Sequence, residues 1–116
     1  MLKQAFGMTA IRFIKVKYKK KQMKVNGLLI LEKFAEKHAD IKSRLQTWVN
    51  EVSESDWSRP DDIKKTYNHT SFLSGNRVIF KIKGNKYRLL TKVNYKNKIV
   101  LVKEIGTYTE YNKWNL

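Results

Sequence analysis

"GNRVIFKIKGNKYRLL", residues 75–90, decides the fold. The stretch holds five cationic side chains, Arg77, Lys81, Lys83, Lys86 and Arg88, and no acid. Val78, Phe80 and Ile82 fall at every second position, with Arg77, Lys81 and Lys83 on the opposite face, which is the period of a strand. Gly84–Asn85 supplies the residues a two-residue hairpin turn prefers. With that turn, Lys83 faces Lys86, Ile82 faces Tyr87, Lys81 faces Arg88 and Phe80 faces Leu89. One register puts the apolar residues on one face and the cations on the other, and a slip of one residue would undo both.

Outward from the hairpin, the pattern changes twice. Downstream, a turn around Lys96–Lys98 leads into "IVLVKEI", apolar on both faces and expected to be a central, covered strand. "GTYTEYNKWNL" then closes the chain with a short element carrying Tyr108, Tyr111, Lys113 and Trp114. Upstream, Leu28, Leu31, Phe34, Ala35 and His38 recur at three- and four-residue steps, the stripe of a helix. Asp40 is a candidate cap for a second helix, in which Ile41, Leu45, Trp48 and Val52 continue the stripe. Pro60 suits the first turn of a short helix reaching Tyr67, with Asp61 and Asp62 at its positive end. Helices first and an antiparallel meander second predict an α+β domain.

The chain has 116 residues, enough for one domain with a modest core, and no cysteine. That excludes a disulfide scaffold and a thiol site and fits a reducing cytoplasm. The two histidines, His38 and His69, stand apart and form no metal-ligand cluster. No run approaches the ~18–20 apolar residues of a membrane span. The net charge is +15, and it is unevenly placed: residues 1–22 carry +7, residues 23–74 sum to zero, and residues 75–116 carry +8. The helical part is neutral and the strand part is a cation, which points to a polyanionic partner.

Residues 1–22 read as a basic N-terminal extension to a domain at residues 23–116. The open readings of "AIRFIKVKYKKKQ" are an extra strand, a basic arm on RNA, a disordered tail, or an over-extended start with Met23 as the first residue. An apolar core before a small-residue cleavage site, the mark of a secretory signal, is missing.

Like charges opposed across a strand pair are destabilising, so Lys81 against Arg88 calls for something to offset the repulsion. A phosphate would do so. Arg88 has the fork to hold two phosphate oxygens, lysine supplies a movable point charge, and the nearby tyrosines can stack on bases. Such a face could bind single-stranded RNA, and it could also cut it. In-line attack by a 2′-hydroxyl needs a base, cations for the charge developing on phosphorus, and an acid for the leaving oxygen. Crowding by like charges eases deprotonation of a lysine, making Lys81 the candidate base, with Arg88 stabilising the phosphorane-like state and Tyr108 the candidate acid. No step requires a histidine, a metal or a cofactor. Arg77, Lys83, Lys86, Lys92, Thr107, Tyr111 and Lys113 are the candidate RNA-binding residues around them. The bland readings stand beside these: a lysine-rich hairpin face also serves as a soluble edge, Trp48 and Trp57 suit a core, His38 a core edge, and Glu110 a helix N-terminus.

Four stretches together resemble a known family. "FAEKHADIKSRLQTWVNEV" (34–52), "WSRPDDIKKTY" (57–67), "RVIFKIKGNKYRLL" (77–90) and "IGTYTEY" (105–111) occur in the order of HigB-type toxins, within the RelE/ParE-like group. The resemblance runs from about Met23 to Trp114, and "FKIKGNKYRLL" is its most specific piece. It implies a RelE-like fold, two N-terminal helices and a short helix packed on a small antiparallel sheet. It implies an endoribonuclease that cleaves mRNA, typically on the translating ribosome, in the cytoplasm. It implies a helix-turn-helix antitoxin of HigA type, through which alone the pair would touch operator DNA. The arginine of the family's Tyr-Arg-Leu motif falls on Arg88, the basic residues of the preceding strand on Lys81 and Lys83, and the C-terminal catalytic element on Thr107–Tyr111. One departure matters. The family usually reads Gly-Thr-His-x-Glu-Tyr where this chain has Gly106-Thr107-Tyr108-Thr109-Glu110-Tyr111. Tyrosine, with a pKa near ~10, donates a proton or stacks where histidine would shuttle one. A ParE-like toxin that spares RNA, or an RNA-binding protein that has lost cleavage, are the alternative functions.

Overall fold

The computed structural model describes residues 22–116. All of the basic extension at residues 1–22 except Gln22 therefore lies outside the described residues.

The hairpin adopts the predicted register. Strand β3 (Arg77–Ile82) pairs antiparallel with β4 (Tyr87–Asn94), with Phe80 opposite Leu89, Lys81 opposite Arg88 and Ile82 opposite Tyr87. Lys86 N–H closes the turn on Lys83 O at 3.2 Å. Lys83 itself takes a left-handed φ of 58°, a conformation unfavourable for a side chain with a Cβ. This turns its side chain away from the face on which Lys81 lies.

The sheet has five strands. Besides the hairpin it contains β1 (Lys24–Asn26), β2 (Ser71–Leu73) and β5 (Ile99–Thr107), in the order β1-β5-β4-β3-β2. All neighbours are antiparallel except β1, which runs parallel to β5 with Val25 beside Val100. The expected helices-then-meander order thus needs a correction, because a short strand precedes the first helix. Three residues with one apolar side chain among them give no periodic signal to find. A bulge at Lys103 shifts the β4–β5 register by one residue, Leu90 facing Glu104 and Thr91 facing Val102.

The chain leaves β1 through Gly27 and enters α1 (Leu28–Lys37). Gly27 has φ 91°, and a Cβ there would lie 2.9 Å from Val102 O. Only glycine allows both the left-handed turn and this approach to β5. A 3-10 turn (Ala39–Ile41), α2 (Lys42–Ser53) and α3 (Pro60–Thr66) follow, the last begun by Pro60 with Asp61 and Asp62 in its first turn as predicted. Asp40 does not cap α2; no side-chain cap bond exists there.

The helices cover one face of the sheet. Ile41, Leu45, Trp48 and Val52 are buried against Phe80, Leu89, Val93, Val100 and Val102. Phe80 is the centre of an aromatic cluster: Trp48, Trp57 and Tyr67 have ring centroids 5.3, 6.2 and 5.2 Å from it. The Trp48 indole N–H has no hydrogen-bond partner, a local cost set against burial of a large ring. Strand β4, not β5, is the most covered strand: Leu101 on β5 remains exposed. The apolar pattern of "IVLVKEI" overstated burial because one side of β5 lies on the face without helices.

Phe80→Ala should cost about 3–5 kcal/mol in urea unfolding, the range for emptying an aromatic site in a core. Leu29→Ala, at a position 59 % exposed on α1, should stay within about 0.5 kcal/mol. Comparable losses for the two would place the core elsewhere.

Candidate active site

The face of the sheet without helices carries two cation pairs in register. Arg77 faces Lys92 and Lys81 faces Arg88, with Ile79 facing Leu90 between them. Lys81 and Lys92 are exposed. The C-terminal residues return across this face. Arg77 Nη1 donates to Leu116 O at 3.3 Å and its Nε to Ser74 O at 2.9 Å. Ile79 and Leu90 are buried there, outside the helix-side core.

Arg88 is not presented to solvent as expected; it is 6 % exposed. Its guanidinium carbon lies 5.1 Å from the ring centroid of Tyr108 and 5.1 Å from that of Tyr111. Nη1 donates to Asn85 O at 2.8 Å. The repulsion between Lys81 and Arg88 is thus relieved inside the protein, by two aromatic faces and a carbonyl. The two tyrosines come from α4 (Tyr108–Tyr111), one turn long. Thr107 begins it with a reciprocal cap: Glu110 N–H donates to Thr107 Oγ1 at 3.2 Å and Thr107 N–H to Glu110 Oε1 at 2.8 Å. Glu110 therefore serves the helix end. Tyr111 meets Trp114 edge-on at 5.5 Å. Gly106, opposite Arg88, makes room for this cap, since a Cβ there would sit 3.0 Å from the Trp114 ring and 3.1 Å from Glu110. Tyr108 is 49 % exposed, so its ring covers the arginine and still meets solvent. Lys113 is exposed after α4.

Lys83 and Lys86 leave this face. Both bind Asp40 Oδ2, at 3.0 and 2.9 Å, and the buried Tyr87 donates its hydroxyl to the same carboxylate at 2.8 Å. Alternation places both lysines on the face of Lys81; the structure places both at Asp40. Phe34 and His38 stack on each other at 4.3 Å and meet Tyr87 edge-on, each with a centroid 5.6 Å away. Hydrogen bonds from Lys86, Lys83 and Tyr87 hold the Asp40 carboxyl well below the usual range. Asp40 in turn raises Lys86, while burial first and Asp40 second raise the Tyr87 hydroxyl.

The structure thus joins Lys81, Arg88, Tyr108 and Tyr111, with Lys92 and Arg77 further along and Thr107 and Lys113 at the ends of α4. His69 lies in the exposed turn after α3. Asp40, Gly106 and Trp114 were missed as site-forming residues. Among the described residues no group of acidic and histidine side chains is placed to hold a metal ion, and no helix is long and apolar enough to cross a membrane.

Helices packed on one face of a five-stranded sheet are consistent with a RelE-like fold. A family model described as HigB_toxin, the RelE-like toxic component of a toxin–antitoxin system, matches residues 41–114. The chain belongs to this family: it is a toxin of a toxin–antitoxin system and has a cognate antitoxin as partner. The match spans α2, α3, β2 to β5 and α4, and begins after β1 and α1. A search of curated proteins found no match.

Asp40's contribution to stability is full above the unfolded carboxyl value of about 3.9 and is lost as pH falls through its lower folded value. Lys86 works at the other end, stabilising below about 10.4 and losing its effect as pH rises through its raised folded value. Asp40→Asn should therefore lower the thermal midpoint at neutral pH, and the gap to wild type should close in strong acid. Calorimetry across pH checks this; a gap independent of pH would contradict it.

Proposed function

We propose that this toxin is an endoribonuclease that cleaves mRNA on the translating ribosome, by attack of a 2′-hydroxyl on the adjacent phosphate. The observation that carries the reading is the Arg88 guanidinium held against Tyr108 and Tyr111 beside the exposed Lys81. The family, a toxic RelE-like component, agrees with it.

The geometry supports the following chemistry. Lys81, free on the open face, takes the 2′-hydroxyl proton or shields the phosphate. The attacking oxygen forms a bond to phosphorus, and the 5′-oxygen of the next nucleotide leaves. Tyr108, half in solvent, gives that oxygen its proton. Tyr111 and Tyr108 offer ring faces on which an unstacked base can rest. Arg88 acts from behind them: its charge supports the tyrosines and adds to the field at the phosphate. Lys92, Arg77 and Lys113 extend the cationic track for the flanking backbone, so binding should weaken steeply with salt. The reaction needs proton transfer and charge stabilisation, both available from these side chains without a cofactor. Its products are a 2′,3′-cyclic phosphate and a 5′-hydroxyl. The antitoxin, proposed to be of helix-turn-helix type, would carry the contact with operator DNA.

Transcript ends mapped after brief induction in a bacterium test the reading. Wild-type protein should create new 5′ ends inside translated regions. Lys81→Ala and Tyr108→Phe should each reduce them by about 10²-fold, the scale of one lost acid–base group, without loss of folding. Arrested growth with intact messages would overturn it.

A further inference from the structure

The turn Lys83–Lys86 is a junction on which the open face depends. Its Asn85 carbonyl accepts Arg88 Nη1 at 2.8 Å, and its Lys86 carbonyl accepts the Tyr108 amide, the first of α4, at 3.0 Å. Both the arginine and the helix that carries the two tyrosines are therefore hung from this turn. The turn is exposed, contains a lysine at φ 58°, and joins two strands that end at Ile82 and Tyr87. A hairpin tip of this kind is ordinarily the loosest part of a sheet.

What holds it lies across the sheet, on the helix side. Asp40 stands in the 3-10 turn between α1 and α2, more than forty residues away in the chain. Its carboxylate receives Lys83 Nζ at 3.0 Å, Lys86 Nζ at 2.9 Å and Tyr87 OH at 2.8 and 3.0 Å. Three donors from the turn and the first residue of β4 converge on one acid. Tyr87 is buried and packs edge-on against the stacked rings of Phe34 and His38, so the carboxylate is bound to a fixed point and not only to mobile lysines. Each exposed ion pair alone would be weak; together with a buried hydroxyl they fix the orientation of the turn.

We propose that Asp40 is a positioning residue, which sets the placement of Arg88 and Tyr108 by anchoring the 83–86 turn. It touches no RNA. Its effect passes through the turn carbonyls to the arginine and to the start of α4. The consequence for cleavage rests on the nuclease reading; the consequence for geometry does not.

The test uses the full chain with Asp40→Asn and, as a second entry to the same contact, Lys86→Gln. Amide exchange by NMR follows Tyr108, with Val100 in the sheet as the internal reference. The Arg88 side-chain resonances report the rings stacked on it. Both variants should speed Tyr108 exchange by about tenfold relative to Val100 and move the Arg88 signals. Cleavage of a defined message on purified ribosomes should fall about tenfold with affinity for the ribosome within about twofold, as expected of misplacement rather than lost binding. If Asp40→Asn does not fold, Lys86→Gln gives the same readings. Unchanged Tyr108 exchange and Arg88 signals would overturn the proposal whatever happens to cleavage. Altered exchange with full cleavage would overturn the catalytic part. Altered exchange in a protein whose wild type cuts nothing would support the anchoring and refute the nuclease.

Discussion

Two like charges facing each other across a strand pair set the terms for the rest of this molecule. Lys81 and Arg88 are direct partners in the ladder, and repulsion at that range works against the hairpin. The chain resolves it by withdrawing one of the two. Arg88 folds beneath Tyr108 and Tyr111 and reaches a backbone carbonyl, leaving Lys81 outside. A buried guanidinium needs its donors and faces occupied. The C-terminal turn, its reciprocal cap and the bare backbone at Gly106 all follow from that requirement. The result is a sheet with two unlike faces: one packed on helices, the other cationic and roofed at one end by aromatic rings.

The neutral half of the chain has its own part in this. The helices contribute the core, and through Asp40 they also tie down the hairpin turn. Among the described residues, the carboxylate is the one acid that meets Lys83 and Lys86. Two of the five cations in the opening stretch thereby share a single carboxylate on the helix side. On the open face the exposed charge that remains is Lys81 and Lys92, with Glu104 of β5 opposite Leu90 as an acid among them. The half that sums to zero is thus a counterweight with a defined contact.

Much of the fold was legible in the sequence because it rests on periodicity. The Ile41–Val52 stripe came from spacing, the hairpin register from spacing joined to the Gly84–Asn85 turn, and the helix after Pro60 from the residues that start it. Strand β1 was not legible: Lys24–Asn26 has too few residues to show a period, and its place is set by a parallel pairing with residues far along the chain. The candidate site was legible in membership and less so in arrangement. Alternation sorts side chains by face, yet Lys83 escapes it through a left-handed backbone, and Lys86 follows it to Asp40. Nor could alternation show that Arg88 would be covered, since the rings that cover it arrive from a one-turn helix twenty residues on. Asp40 looked like a helix cap because Asp before an apolar stripe usually is one. Its real partners are long-range, which no local pattern reports.

In the resulting account, the open face positions an RNA phosphate between an exposed lysine and an exposed tyrosine, with the arginine as a fixed charge behind. The chemistry of the cut ends tests this most directly. A message bound to purified ribosomes is exposed to the protein, and the 3′ ends of the fragments are analysed by mass spectrometry. The account predicts a 2′,3′-cyclic phosphate, the product of 2′-hydroxyl attack. A 3′-hydroxyl at the cut, or an intact message, would contradict it.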